Sequence, residues 1–324
     1  MANLQGLNVL VTGGAGVIGS EMVKHLSSSN IVTVLDNLSS GVKTHLDGLP
    51  KKGNVEFILG DIRNKSTLMK LLKDKDIVFH FAANGDVRYR AGTSTDLDLE
   101  SNTMGTYNVL EAMRQRDVKD IVFSSSSSVY GEATVRPTSE SYGPLIPTSL
   151  YGASKLACEG LIGAFHSLFG LRGWIYRFAN ITARTSRTVG MNVVPDFIEK
   201  LSRDPSRLEI LGDGHQTKSY LFVDDCISGM LKLLQDGNTN VSVYNLGSID
   251  TISVTGIADI IVQEMNLENV RYEYTGGQSG WIGDVPQMFL DITKAREHGW
   301  TPINDSKESI RLSAKAILDS LSAN

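Results

Sequence analysis

Leu7-Asn8-Val9-Leu10-Val11-Thr12-Gly13-Gly14-Ala15-Gly16-Val17-Ile18-Gly19 runs from an apolar, β-branched stretch into glycines at 13, 16 and 19. A strand that passes straight into a helix needs a residue without a side chain at the tight turn. Two further glycines let a pyrophosphate approach the backbone and let helix and strand pack closely, while the helix N-terminal amides face the phosphates. The stretch predicts a dinucleotide site on Gly13, Gly16, Val17, Ile18 and Gly19. Asp36 closes the next apolar run, where a carboxylate accepts hydrogen bonds from the adenosine ribose hydroxyls and repels a 2′-phosphate. The expected cofactor is therefore NAD rather than NADP. The plainer role for Asp36 is a turn or cap residue. Asp61, in Gly60-Asp61-Ile62, reads either as a contact for the adenine amine or as the N-cap of the next helix.

Outward from this loop the pattern repeats. Residues 7–12, 31–36, 55–60, 77–82, 118–124 and 173–178 are short apolar runs, as expected for strands covered on both faces. Helix-length segments at 17–28, 64–73, 97–116 and 150–169 lie between them. The alternation predicts right-handed crossovers and an α/β fold with a doubly wound parallel sheet of the Rossmann type. In the last helix Leu156, Gly160, Leu161, Ala164, Phe165 and Leu168 form an apolar face, suited to packing or to pairing of subunits. Beyond residue 180 glycine and proline punctuate the chain (Gly190, Pro195, Pro205, Gly212, Gly214, Pro286), and apolar runs return at 208–211 and 220–223. This divides the chain into residues 1–180, the dinucleotide-binding domain, and residues 181–324, a smaller interleaved substrate-binding region. Parts near 217–250 are expected to return to the first domain.

The 324 residues are 41% hydrophobic and 21% charged, enough for one large core or two coupled ones. A net charge of -5 lacks the basic excess that attracts a phosphate backbone, so nucleic acid is not an expected partner. Cys158 and Cys226 sit in apolar stretches without metal-ligand spacing and read as small buried hydrophobes in a reducing compartment. The six histidines form no metal pattern; His80 reads as a core residue with its hydrogen bonds satisfied. With no basic leader and no long apolar run, the expected location is cytoplasmic, away from membranes.

A second signal lies at Tyr151-Gly152-Ala153-Ser154-Lys155. Residues four apart on a helix share a face, so Tyr151 and Lys155 can meet at one ligand. A tyrosine with a pKa near ~10 is a poor base at neutral pH, but an adjacent ammonium and a cationic nicotinamide both favour its phenolate. In an unknown fold the same spacing is an aromatic packed on a lysine stem. The run Ser124–Ser128 ends the fifth predicted strand at its carboxyl edge, where ligands of such sheets bind, so one hydroxyl can hold a substrate oxygen.

Taken together, TGGAGVIG, HFAAN, SNTMGT, FSSSSSVYG, YGASK and RFAN resemble the extended short-chain dehydrogenase/reductases acting on nucleotide sugars, in the pattern of the UDP-glucose 4-epimerases. GDGHQTKSYLFVDD and GWIGDVP extend the resemblance into the second half. It implies that Ser126, Tyr151 and Lys155 are catalytic, with Ser124 and Ser125 beside the nicotinamide and Asn102 supporting the site. It also implies cofactor contacts at Asn37, Ile62, Phe81, Ala82, Ala83 and Phe178. On the substrate side it implies Arg88, Ser127, Asn180, Arg187, Val194, Lys218, Tyr220, Trp281 and Asp284. The sequence departs from the family at two places. Lys218 replaces a common arginine and gives up bidentate geometry. Trp281 stands where an arginine usually serves the diphosphate, a loss that Arg184 or Arg187 would make good.

The related 4,6-dehydratases place an Asp-Glu pair after the catalytic hydroxyl, and the related decarboxylases keep a glutamate there. Here those positions are Ser127 and Ser128, which leaves no carboxylate for elimination. The expected reaction is therefore C4 epimerisation of a nucleotide sugar, foremost UDP-glucose and UDP-galactose. UDP-glucuronate and UDP-N-acetylhexosamine remain open as substrates, as do a dehydratase, a dehydrogenase and a non-catalytic NAD-binding regulator. A homodimer through the helices at 97–116 and 150–169 is the family-based expectation, with Tyr107, Met113 and Phe165 as residues of interest.

Overall fold

The computed structural model describes residues 4–49, 54–88, 94–185, 192–235 and 240–322. Six strands, β1 (Asn8–Thr12), β2 (Ile31–Asp36), β3 (Val55–Leu59), β4 (Ile77–His80), β5 (Asp120–Ser126) and β6 (Arg172–Phe178), form within the first half. They alternate with helices α1 (Val17–Leu26), α2 (Lys65–Leu71), α3 (Gly105–Gln115) and α4 (Leu150–Phe169). All six strands pair in parallel, and the order β3-β2-β1-β4-β5-β6 reverses direction between β1 and β4. Such a reversal opens a crevice at the strands' carboxyl ends.

Local chemistry sets the element ends. Asn64 caps α2 by accepting from Thr67 N (3.1 Å), so the cap role weighed for Asp61 belongs three residues later. Ser149 caps α4 by accepting from Gly152 N (3.0 Å), and Gly170, left-handed at φ +70°, stops it. Residues 99–104, expected as the start of an ordinary helix, form a π-helical turn leading into α3. Such turns are rare and gather at functional sites.

Strand alternation divides the core into two layers. Val122 of β5 and Trp174, Tyr176 and Phe178 of β6 face α1 and a helix of the second half, α6 (Val223–Leu234). Ile121, Phe123 and Ile175 face α2, α3 and α4. On α4 the buried face is Gly152, Ser154, Lys155, Cys158, Glu159, Ile162 and Phe165. The apolar face read from the sequence is therefore mostly the outer one: Gly160, Ala164 and Leu168 are exposed, Leu168 by 71%. Two charged residues on the buried face hid it from a reading based on hydrophobicity. Met113 is fully buried and Phe165 nearly so, edge-on to Tyr107 at 6.2 Å, so Met113 belongs to the core. Both cysteines are buried and free, and His80 is held on both ring nitrogens, by Thr12 Oγ1 (2.6 Å) and Thr106 Oγ1 (2.9 Å). Its burial lowers its pKa to about 3 and keeps it neutral.

The second half crosses back and forth. It forms β7 (Asn180–Thr182), α5 (Val193–Arg203), β8 (Arg207–Ile210), β9 (Thr217–Lys218), β10 (Tyr220–Phe222), α6, and β11 (Val241–Leu246), which pairs with β6 as the seventh parallel strand. After it come β12 (Ile252–Ser253), α7 (Val254–Glu264), β13 (Arg271–Tyr274), β14 (Gln287–Met288), α8 (Thr293–Glu297) and α9 (Ser306–Ser322). Helices α5, α7 and α9 enclose a separate core around Phe197, Ile257, Ile261 and Ile310. Among the described residues no helix is long and apolar enough to cross a membrane.

The tightest backbone contact lies at the sheet reversal. Gly13 has φ +70°, and a Cβ there would lie 2.5 Å from Ala82 N. Gly13→Ala is therefore expected to cost about 2 kcal/mol or more, from the left-handed backbone alone and then from the clash. Urea unfolding measures this; a loss below about 0.5 kcal/mol would mean that the contact is not tight.

Candidate active site

The reversal places three pieces of backbone together. β1 ends at Thr12, the glycine loop turns over residues 13–16, and α1 starts at Val17 with no side chain capping it. Its first amides are open to an anion, and the cradle at Gly13 is one that a Cβ would fill, so the loop fits a dinucleotide pyrophosphate. Phe81, Ala82 and Ala83 follow β4; Phe81 N donates to Thr12 O (3.0 Å), which holds this segment against the loop. Asp36 stands at the end of β2 as expected, with Oδ2 accepting from Ala15 N (2.9 Å) and Oδ1 from Leu38 N (2.8 Å). Its carboxylate thus bridges the glycine loop and the next turn.

Asp61 is held more firmly than a free adenine contact requires. Arg63 grips it through Nη2 (2.8 Å) and Nε (3.1 Å), Asn37 Nδ2 donates at 3.0 Å, and the Arg63 hydrogen bond lowers its pKa to about 2. Ile62 is buried under Gly105, and Phe178 is buried at the end of β6. The sequence reading missed a cover over the glycine loop. Val42 N (3.1 Å) and His45 Nδ1 (2.9 Å) both contact Ala15 O, and a Cβ on Gly41 would lie 2.7 Å from Ala15 C. The Ser-Ser-Gly at 39–41 is the only local hint of that tight approach.

Ser126, Tyr151 and Lys155 come together at the carboxyl edge of β5. Ser126 Oγ pairs with Ser128 Oγ (2.9 Å) and caps the short 3-10 turn of Ser127–Tyr130. Lys155 is 3% exposed; its Nζ donates to Ser124 O (2.7 Å) and lies 5.7 Å from the centre of the Tyr151 ring. Burial lowers the Lys155 pKa to about 8. Burial also raises the Tyr151 phenol to about 12, against a hydrogen bond with Ser126 that pulls it down. Loss of water therefore outweighs the Ser126 hydrogen bond and favours the neutral phenol. Asn102, in the π-helical turn, donates to Ser154 Oγ (2.9 Å) and accepts from Asn84 N (2.7 Å), so it braces α4.

Ser124 and Ser125 part company. Ser124 donates to His80 O (3.2 Å), whereas Ser125, one residue on and on the opposite face of β5, donates to Glu159 Oε1 (2.5 Å). The Ser125 hydroxyl is therefore turned toward α4.

On the far side of the crevice, Lys218, Trp281 and Asp284 form one cluster, although 66 residues separate Lys218 from Asp284. Lys218 Nζ lies 2.5 Å from Asp284 Oδ1 and 4.9 Å from the centre of the Trp281 ring. Tyr220 is buried beside them, its phenol pushed up by burial and by the Asp284 charge. Asn180 Nδ2 and Arg88 Nη2 are buried polar atoms without a hydrogen-bond partner among the described residues, open to acceptor oxygens. Two residues of the expected substrate side have protein partners. Val194 is fully buried in the second core, where α5 packs, so its side chain meets no ligand. Arg184 pairs both ways with Asp224 (2.7 and 2.5 Å), an exposed ion pair. Arg187 lies outside the described residues.

Known proteins resemble this chain in sequence and fold. Residues 9–247 match the NAD dependent epimerase/dehydratase family. The UDP-glucose 4-epimerase of Halalkalibacterium halodurans is 32% identical over 326 residues, 93% of this chain and 92% of that one. The solved UDP-glucose 4-epimerase of Thermotoga maritima, with UDP-glucose, is 30% identical at a TM-score of 0.86, covering 97% of this chain and 100% of that one. The UDP-N-acetylglucosamine 4-epimerase of Methanobrevibacter ruminantium, in complex with UDP-N-acetylmuramic acid, is 29% identical, also at 0.86, covering 98% and 99%.

Lys155 generates a pH test. Its folded pKa of about 8 lies below the usual 10.5, so the unfolded chain binds more protons between those values and stability rises with pH across that window. The full shift corresponds to about 3 kcal/mol. In urea unfolding from pH 8 to 10.5, Lys155→Met is expected to lose this rise; identical pH slopes in both proteins would contradict it.

Proposed function

The chain belongs to the NAD-dependent epimerase/dehydratase family, and from that premise we propose that it is a nucleotide-sugar C4 epimerase interconverting UDP-glucose and UDP-galactose through a 4-keto intermediate. Its cofactor is NAD, for which Gly13, Gly16, Gly19 and Asp36 form the cradle. When bound, NAD supplies the hydride acceptor and donor, and a positive ring that favours the Tyr151 phenolate. One observation carries the choice of epimerisation: hydroxyls, not carboxylates, follow Ser126, and Ser128 Oγ is spent on Ser126 Oγ. Asp98, whose charge reaches Tyr151, is bound by Asn84 (2.9 Å) and Asn102 (3.2 Å) and is not placed as a free acid.

In this reading Ser126 Oγ hydrogen-bonds the sugar O4, and Tyr151 Oη takes its proton. Lys155, anchored on Ser124 O, keeps positive charge beside the phenol. The sugar then turns about its phosphate linkage, and Tyr151 returns the proton to O4 of the opposite epimer. Turning needs an anchored nucleotide and a loose hexose. Lys218, Asn180 and Arg88 supply the anchor, with Trp281 offering a flat face for the base. The exposed outer face of α4, Ala153, Ala157, Gly160, Ala164 and Leu168, supports a homodimer through α3 and α4.

Proton NMR of UDP-galactose with the purified protein and NAD is expected to show UDP-glucose appearing without net reduced cofactor. Tyr151→Phe should lower kcat by about 10²–10⁴-fold, the usual worth of a general base, while the cofactor stays bound. Conversion of UDP-glucuronate or UDP-N-acetylglucosamine in place of UDP-galactose would reassign the sugar. Steady accumulation of reduced cofactor would replace the epimerase with a dehydrogenase. Lys218→Ala should raise KM about 10-fold or more with kcat nearly unchanged, since its contact serves both ground and transition states. A fall in kcat alone would remove Lys218 from the nucleotide anchor.

A further inference from the structure

Beneath the proposed catalytic residues lies a buried charge cluster that the mechanism does not use. Glu159 is one turn beyond Lys155 on α4, and Arg177 is on β6. Arg177 Nη2 donates to Glu159 Oε2 (2.7 Å) and Nε to Oε1 (3.0 Å), with both side chains less than a tenth exposed. Glu159 Oε1 also takes the hydrogen of Ser125 Oγ at 2.5 Å. The guanidinium stacks on Tyr130 at 4.8 Å from the ring centre, and Tyr130 OH in turn donates to Asn245 Oδ1 of β11 (2.7 Å).

A buried ion pair is a poor way to gain stability, since well-packed apolar residues of the same volume often do as well. What it supplies is direction. Apolar contacts let a helix slide or turn by a fraction of an ångström, whereas a bidentate pair with a third hydrogen bond has one geometry. Ser125 stands between Ser124, whose carbonyl takes the Lys155 hydrogen bond, and Ser126, which bonds Tyr151. Any shift of α4 against β5 would open both contacts together.

We infer that Glu159 is a positioning residue for the reaction: its bonds to Ser125 and Arg177 set the register of α4 on β5 and β6 that brings Tyr151 to Ser126 and Lys155 to Ser124. It touches neither sugar nor cofactor. Its charge also helps keep Lys155 protonated. The inference rests on the epimerase reading, which wild-type turnover tests first.

Three variants test the positioning role. Ser125→Ala removes one bond and leaves the ion pair intact. Glu159→Gln removes the charge, and Glu159→Gln with Arg177→Met removes both charges without stranding one, which protects against a variant that does not fold. Each is measured as kcat and KM per NAD-binding site, with a pH profile. The expected result is a kcat about 10-fold lower in Ser125→Ala and about 100-fold lower in the double variant, the scale of a misplacement near 1 Å. KM should stay within about threefold, and the rise of kcat with pH should move upward as the lysine leaves the phenol. A purely structural role predicts a lower Tm with kcat per site and pH profile unchanged, and that outcome would overturn the inference. If the wild type itself turns over no UDP-sugar, the epimerase reading fails instead.

Discussion

The backbone of Gly13 lies directly against Phe81 and Ala82, and the rest of the molecule is arranged around that contact. It is possible only because residue 13 has no side chain and accepts φ +70°. Through it the first strand can turn into α1 at the point where the sheet reverses, and the crevice there faces the carboxyl ends of β1, β4 and β5. Asp36 then reaches back to Ala15, and the 41–45 segment closes over the same loop. Backbone amides and one carboxylate, rather than a set of cationic side chains, form the proposed cofactor cradle. This is compatible with a chain of net negative charge.

The second theme is where charge is buried. Lys155, Glu159 and Arg177 lie in the layer between α4 and the sheet, which is otherwise made of Ile121, Phe123, Ile162 and Ile175. Removing charges from water is expensive, and the cost appears as a lysine whose pKa falls to about 8 beside a tyrosine raised to about 12. Both shifts oppose the protonation states that proton transfer needs. The same economy holds across the crevice, where Lys218 is already neutralised by Asp284 and the orphaned amide of Asn180 awaits an acceptor.

Local reading went furthest where the chemistry is local. The strands at 8–12, 31–36, 55–59 and 77–80, the glycine turn and the Tyr151–Lys155 spacing are short-range patterns, and each is present at its expected place. Reading failed where a residue's partner lies far along the chain. Arg184 looks free in a loop until Asp224 pairs with it 40 residues on. Ser125 looks equivalent to Ser124 until strand pleating sends it toward Glu159. On α4 the apolar residues read from the sequence lie mostly on the outer face, and Glu159 sits on the inner one with its partner on another strand.

The sequence by itself determined the doubly wound sheet, the cradle for a dinucleotide and the helix face that carries Tyr151 and Lys155, because periodicity, glycine conformation and i,i+4 spacing act within a few residues. The tertiary structure alone decided the burial of Glu159 with Arg177, the pairing register of Val241–Leu246 on β6, and the meeting of Lys218 with Trp281 and Asp284. Those are pairings between distant segments, and their energies depend on exclusion of water, which no short stretch of sequence contains.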